Sequence, residues 1–182
     1  MKLLDMRGLR VSIFTSVVFF ICSFDYTDQK KEKTTINSAK YELTAYIFLA
    51  PDCPISLKYL HTLKEMDSIF RSKVEFIGLF PKTYSKNELE EFRREFNIDF
   101  DIVIDDNNTL IEEFNISVTP EVILVEAEKV LYQGAIDNWF YALGKNRTKP
   151  TEHYLRDAIN LTLADKKIKV AKTEAIGCII SK

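Results

Sequence analysis

The sequence predicts an α/β fold, a mixed central sheet flanked by helices. Three observations carry that expectation. Strand-like runs alternate with helix-period segments, the alternation ends in a hairpin and a helix, and 182 residues at 46% hydrophobic content suffice for one core.

Each element has a local reason. Tyr41 to Ala50 (YELTAYIFLA) is rich in aromatic and aliphatic residues, as a mostly buried strand should be, and stops at Pro51. Pro54 suits the first turn of a helix, where a missing N–H costs nothing, and Leu57, Leu60, Leu63, Met66 and Ile69 or Phe70 recur at helical spacing. A strand therefore feeds a helix through Pro51-Asp52-Cys53-Pro54. Val74 to Phe80 reads as a second strand, Lys86 to Phe96 as a charged amphipathic helix, Asp101 to Ile104 as a short strand and Leu110 to Phe114 as a short helix. Beyond a turn at Ser117 to Pro120, Glu121 to Glu126 and Lys129 to Gln133 form a hairpin around a tight acidic turn. A helix from Thr151 to Ala164 is expected to close the domain, with Pro150 and Thr151 supplying an N-cap context.

The N-terminal segment bears on compartment. Lys2, Arg7 and Arg10 precede the apolar run Val11 to Phe24, the charge-then-hydrophobe order of a secretory signal. The run is short for a membrane span, which needs about 20 apolar residues. Residues 1–24 are thus expected to be a signal peptide or membrane anchor, with Ser23 a candidate cleavage position, which places the mature chain in the periplasm or cell envelope. Cys22 is either an acylated lipoprotein cysteine, giving membrane attachment, or a residue discarded with the signal; Ile21, where a small residue would suit acylation, favours the second. Residues 25–39 are polar and charge-mixed, a linker unable to bury enough surface to order itself. The globular domain is expected at 40–164, followed by a tail, 165–182, that carries Cys178.

Composition excludes some functions. A formal net charge of −2 with lysines interleaved among acids makes no field to gather nucleic acid. Three cysteines, Cys22, Cys53 and Cys178, rule out a disulfide-dense scaffold, and none pairs at zinc-knuckle spacing. The mature chain can hold at most one intramolecular disulfide.

Cys53 sits where a strand ends and a helix begins. Helix N–H groups and the positive end of the helix dipole favour the thiolate there, and Asp52 alongside opposes it. The plain alternative is a buried cysteine acting as a small hydrophobe.

Phe48 to Ser56 (FLAPDCPIS) resembles the strand, loop and active-site helix of extracytoplasmic thioredoxin-like proteins, where a CxxC motif opens the helix. Val118-Thr119-Pro120-Glu121 resembles the cis-proline loop of that fold, which lies against the active-site cysteine and offers backbone to substrate. With Tyr132 to Asp137, Pro150 to His153 and Gly177-Cys178, the pattern is similar to a bacterial redoxin-domain (AhpC/TSA-like) subgroup with a DCPIS motif and a C-terminal Gly-Cys. The resemblance implies a thioredoxin-like fold, a cis Pro120, Cys53 as nucleophile, and Ser56, Thr119 and Pro120 bordering the substrate. It also implies protein thiols or disulfides as partners, an electron donor the sequence does not name, and no bound cofactor or resident metal.

The departures shape the chemistry. Ser56 stands at the second cysteine of CxxC, so a local dithiol cycle is ruled out and a mixed disulfide on Cys53 needs another thiol for its release. Cys178 is the candidate within the mature chain, either as resolving thiol or as a structural staple pinning the tail. A bond between the two would stabilise by roughly 5 kcal/mol as an upper figure.

Other functions compete. A peroxidase of the redoxin type needs threonine or serine three residues before its cysteine and a proline further back; Ala50 and Tyr46 stand there. Copper binding could draw on Cys53, His61, Met66, His153 and Cys178, without diagnostic spacing. A non-catalytic binding module on the same scaffold is the other class. Trp139, Phe140 and Tyr141, in an expected loop from Asp137 to Lys149, either line a groove or pack against the domain edge, and Asn146 opens a glycosylation sequon.

Overall fold

The computed structural model describes residues 41–180; the expected signal segment, the linker and Cys22 lie outside the described residues. The chain runs β1 (Leu43–Phe48), α1 (Pro54–Phe70), β2 (Val74–Pro81), α2 (Lys86–Phe96), β3 (Asp101–Asp105), α3 (Thr109–Glu113), β4 (Val118–Thr119), β5 (Glu121–Glu126) and β6 (Lys129–Gly134). A small hairpin, β7 (Phe140–Ala142) and β8 (Lys145–Asn146), precedes α4 (Tyr154–Leu163), and the tail ends in β9 (Cys178–Ile179). Among the described residues, no helix is long and apolar enough to cross a membrane.

The main sheet has the order β3-β2-β1-β5-β6. Its β1–β2 and β2–β3 pairs are parallel, and its β1–β5 and β5–β6 pairs antiparallel. A parallel pair needs a crossover, which α1 and α2 supply, whereas β5 and β6 need only a tight turn. Alternation along the strands divides the interior. Ala45, Ile47, Phe76 and Leu124 join Leu60 and Leu63 of α1, Phe92 of α2 and Leu155 of α4 in one core cluster. Phe48, Ile77, Leu79 and Ile123 join Ile111 of α3 and Ile180 of the tail in a second. Ile180 of the tail is therefore part of the core.

Helix α2 has local punctuation at both ends: Ser85 and Glu88 form a reciprocal capping box, and Asn97 closes the helix at a φ of 48°. The expected helix start at Thr151 is corrected, since α4 begins at Tyr154 with His153 in the cap position. The Asn138 side-chain oxygen accepts the backbone N–H groups of Thr151 (2.9 Å) and Glu152 (3.1 Å), which holds those residues in a loop. The expected loop after β6 is also partly ordered as the β7–β8 hairpin.

Beyond α4 the tail returns along the outer edge of β6. Gln133 N donates to Ala171 O (3.0 Å) and Thr173 N to Gln133 O (3.0 Å). The Thr173 hydroxyl accepts from Ala135 N (2.9 Å) and shares a 2.5 Å hydrogen bond with the Tyr132 hydroxyl. Gly134 makes this contact feasible: its φ is +141°, and a Cβ there would stand 2.3 Å from the Thr173 carbonyl oxygen. From this anchor the tail reaches β4 and pairs with it.

Candidate functional site

The site forms where β1 hands over to α1. The chain turns after Phe48, Cys53 N donates to Ala50 O (3.1 Å), and Cys53 takes the N-cap position of α1 with extended backbone. A cap residue turns its side chain back on the first helical N–H groups, and here the Sγ accepts from Ser56 N at 3.5 Å. The Ser56 hydroxyl lies beneath, accepting from Ala50 N at 3.4 Å. Pro54 at the first helical position has no N–H to leave unsatisfied.

The opposite wall is β4. The Thr119–Pro120 peptide bond is cis, and the Cys53 thiol donates to the Thr119 carbonyl at 3.0 Å. Across β4 lies the tail, with Thr119 paired to Cys178 and Val118 to Ile179 in antiparallel register. The two thiols are near enough for each to shift the other's acidity. Both are free cysteines, Cys53 at 1% exposure and Cys178 partly exposed.

The two sulfurs differ in acidity. Burial pushes the Cys53 thiol up, but hydrogen bonds from the Cys178 side chain, Ser56 and the Cys178 backbone outweigh it and leave the thiol below its usual value. The Thr119 carbonyl opposes this, because an acceptor 3.0 Å away favours the protonated thiol. The hydrogen bonds from Cys178 and Ser56 together outweigh that acceptor and keep the direction downward. Cys178 is pushed up to about 11 by burial first, then by its hydrogen bond to Cys53 and by the charges of Cys53 and Asp52.

Asp52 is exposed, and the Tyr84 hydroxyl donates to its Oδ1 (2.5 Å). That tie draws part of the carboxylate's charge into a hydrogen bond. The Tyr84 hydroxyl is raised in turn, by burial and by Asp52.

Cys53, Ser56, Thr119, Pro120 and Cys178 therefore lie together at one end of the sheet. The other candidates lie elsewhere or do other work. His61 is exposed on α1, Met66 is in the core, and His153 is partly buried at the start of α4 with no capping hydrogen bond from its side chain. Among the described residues, no three His, Cys, Asp or Glu side chains are grouped to hold a metal ion. Tyr46 stacks on Phe114 and belongs to the second cluster, away from Cys53. Trp139 and Phe140 pack on Tyr59 of α1, with ring centroids 5.5 and 5.7 Å away, which is domain packing; Tyr141 faces outward. Two participants escape a reading of the sequence. Tyr84 has no local mark of its bond to Asp52, and Gly177 was visible as part of a motif but not as a steric requirement.

No protein-family model matches the chain, and no curated protein matches it. Solved structures do. An uncharacterized conserved protein from Geobacillus kaustophilus superposes with a TM-score of 0.71 at 18% identity, covering 81% of each chain. A hypothetical protein from Sinorhizobium meliloti gives 0.69 at 16% identity, over 79% of this chain and 81% of the other. These likenesses, the strand order and the cis-proline facing a helix-capping cysteine give the chain a thioredoxin-like fold.

Proposed function

We propose that the protein is an exported thiol–disulfide oxidoreductase of the cell envelope, with Cys53 as nucleophile and Cys178 as resolving thiol. One observation carries the reading. The pairing of Thr119 with Cys178 sets a second thiol across one peptide unit from the sulfur that caps α1. The missing CxxC partner is thereby supplied from the tail, where Ser56 cannot serve.

The acidities suit this order of events. The more acidic Cys53 thiol supplies the attacking thiolate, while Cys178 keeps its proton at neutral pH. The Cys53 thiolate attacks one sulfur of a protein disulfide, the S–S bond breaks, and the other sulfur leaves as thiolate and takes up a proton. Cys178, deprotonated, then attacks the Cys53 sulfur, forming the Cys53–Cys178 disulfide and releasing the second substrate thiol. Two electrons pass from the protein dithiol to the substrate. A partner dithiol regenerates the pair by the same exchange in reverse. Ser56 steadies the thiolate through its N–H, and Thr119 and Pro120 present backbone to the incoming chain. The basic-then-apolar segment at residues 1–24 supports the envelope location.

Intact-mass measurement with and without reductant tests this. A two-hydrogen shift that persists in Cys22→Ser and disappears in Cys178→Ser is the expected result. A mass unmoved by mild oxidant would overturn the reading.

A further inference from the structure

We propose that the β4 edge is a peptide-docking groove for an extended segment of the form Gly-Cys-x-aliphatic, and that residues 177–180 occupy it as a built-in ligand which a protein substrate must displace. The catalytic part of this rests on the reading of Cys53 as nucleophile.

Main-chain pairing provides the dock. Val118 and Thr119 face Ile179 and Cys178, and Ile180 N donates to Ser117 O at 3.0 Å. Such bonds are made by any extended peptide, so the selection lies in side chains. At Gly177 an added Cβ would stand 2.2 Å from the Thr119 carbonyl oxygen and 2.6 Å from its carbon. Those are backbone atoms, and the same carbonyl is held at 3.0 Å from the Cys53 sulfur, so it cannot retreat without disturbing the site. The position before the cysteine must therefore be glycine. After the cysteine, Ile179 is 83% exposed and Ile180 9%, the latter packed into the second core cluster with residues such as Ile116 and Ile123. The groove reads the second residue past the cysteine as an aliphatic side chain and ignores the first.

Occupancy by the tail has a consequence for access. Cys53 is 1% exposed while β9 is in place, so a substrate disulfide reaches its sulfur after the strand leaves. The anchor at Thr173 keeps the departed strand close, at high effective concentration. Its return requires the substrate strand to vacate β4. Cys178 then attacks the Cys53 sulfur of the mixed disulfide, the Cys53–Cys178 bond forms, and the bond to substrate breaks with its electron pair on the departing substrate sulfur. Resolution and product expulsion become one strand exchange.

The test uses the full chain in a Cys22→Ser, Cys178→Ser background, where Cys53 is the one thiol. Alkylation by iodoacetamide is followed at its high-pH plateau, where ionisation no longer limits the rate. Gly177→Ala, which displaces the strand, is expected to speed the reaction by about tenfold, and Ile180→Ser, which loosens it without a clash, by less. A fluorescent peptide of residues 174–182 with Cys178→Ser should then bind the Gly177→Ala protein saturably, and the same peptide with Gly177→Ala should bind about tenfold more weakly. Unchanged alkylation in both variants, or equal binding of the two peptides, overturns the groove. Because the peptide carries no thiol, this failure is separate from that of the redox reading, which the Cys53–Cys178 mass shift decides.

Discussion

Thr119 lies directly across the antiparallel pair from Cys178, while its carbonyl oxygen accepts the Cys53 thiol at 3.0 Å. One peptide unit therefore positions both sulfurs, although they belong to opposite ends of the described chain. A two-residue strand suffices because the geometry is fixed on either side, by the N-cap of α1 and by the tail's anchor on β6.

The first prediction concerns the bond those sulfurs would form. Closing so long a loop removes chain entropy from the unfolded state, worth roughly 5 kcal/mol at most. Reduction is expected to lower Tm by on the order of 10 °C in wild type, since each kcal/mol moves a domain of this size by a few degrees. Differential scanning calorimetry with and without reductant checks it, with Cys178→Ser insensitive to reductant.

Acidity yields a second. The side-chain hydrogen bond from Cys178 leads the influences that lower the Cys53 thiol, so Cys178→Ala should move the Cys53 alkylation midpoint upward. The reduced protein should also show two signs of linkage. Cys53, lowered in the fold, contributes stability above the usual thiol value that is lost as pH falls through its folded value. Cys178, raised to about 11, contributes stability that is present below the usual value and lost as pH rises to about 11. Urea unfolding of reduced wild type and Cys178→Ala across this range, compared as a difference, reads the two signs together, because the substitution removes the Cys178 titration and also the hydrogen bond that lowers Cys53.

How far the sequence reaches depends on how local the determinant is. Helix α2 was legible at both ends because Ser85, Glu88 and Asn97 punctuate it within a turn. The α4 start was not, because the group that withholds Thr151 and Glu152 from the helix is Asn138, over ten residues earlier. The same distinction runs through the site. Cys53 stands out by its place between strand and helix, a local mark. The fit of Gly177 against Thr119 and the tie from Tyr84 to Asp52 depend on chain-distant neighbours that no local pattern encodes.

Gly134 supplies a third prediction. Gly134→Ala would force an alanine to a φ of +141° and bring its Cβ to 2.3 Å from the Thr173 carbonyl. Backbone of this kind costs about 1–3 kcal/mol before the clash is counted. Urea unfolding should show a loss of at least that order. Because Thr173 anchors the tail, limited proteolysis should cut beyond Asp165 faster than in wild type.

The last prediction separates scaffold from chemistry at Tyr59. Its hydroxyl donates to Asp137 Oδ1 at 2.6 Å, and the same oxygen accepts Trp139 N at 2.8 Å; both side chains are buried. Burial first, and the Asp137 carboxylate next, raise the tyrosine hydroxyl above its usual value. Tyr59→Phe keeps the ring that packs on Trp139 and Phe140, so no cavity opens, but it leaves Oδ1 with one donor fewer. An under-satisfied buried polar group of this kind costs about 1–3 kcal/mol. Asp137→Asn should cost less in the Tyr59→Phe background than in wild type, because the charge that lost its donor is then absent. A double-mutant cycle by urea unfolding reads that coupling directly. Cys53 alkylation should stay at its wild-type rate throughout, since Tyr59 makes no hydrogen bond to either sulfur; a changed rate would place the Tyr59–Asp137 pair within the redox site.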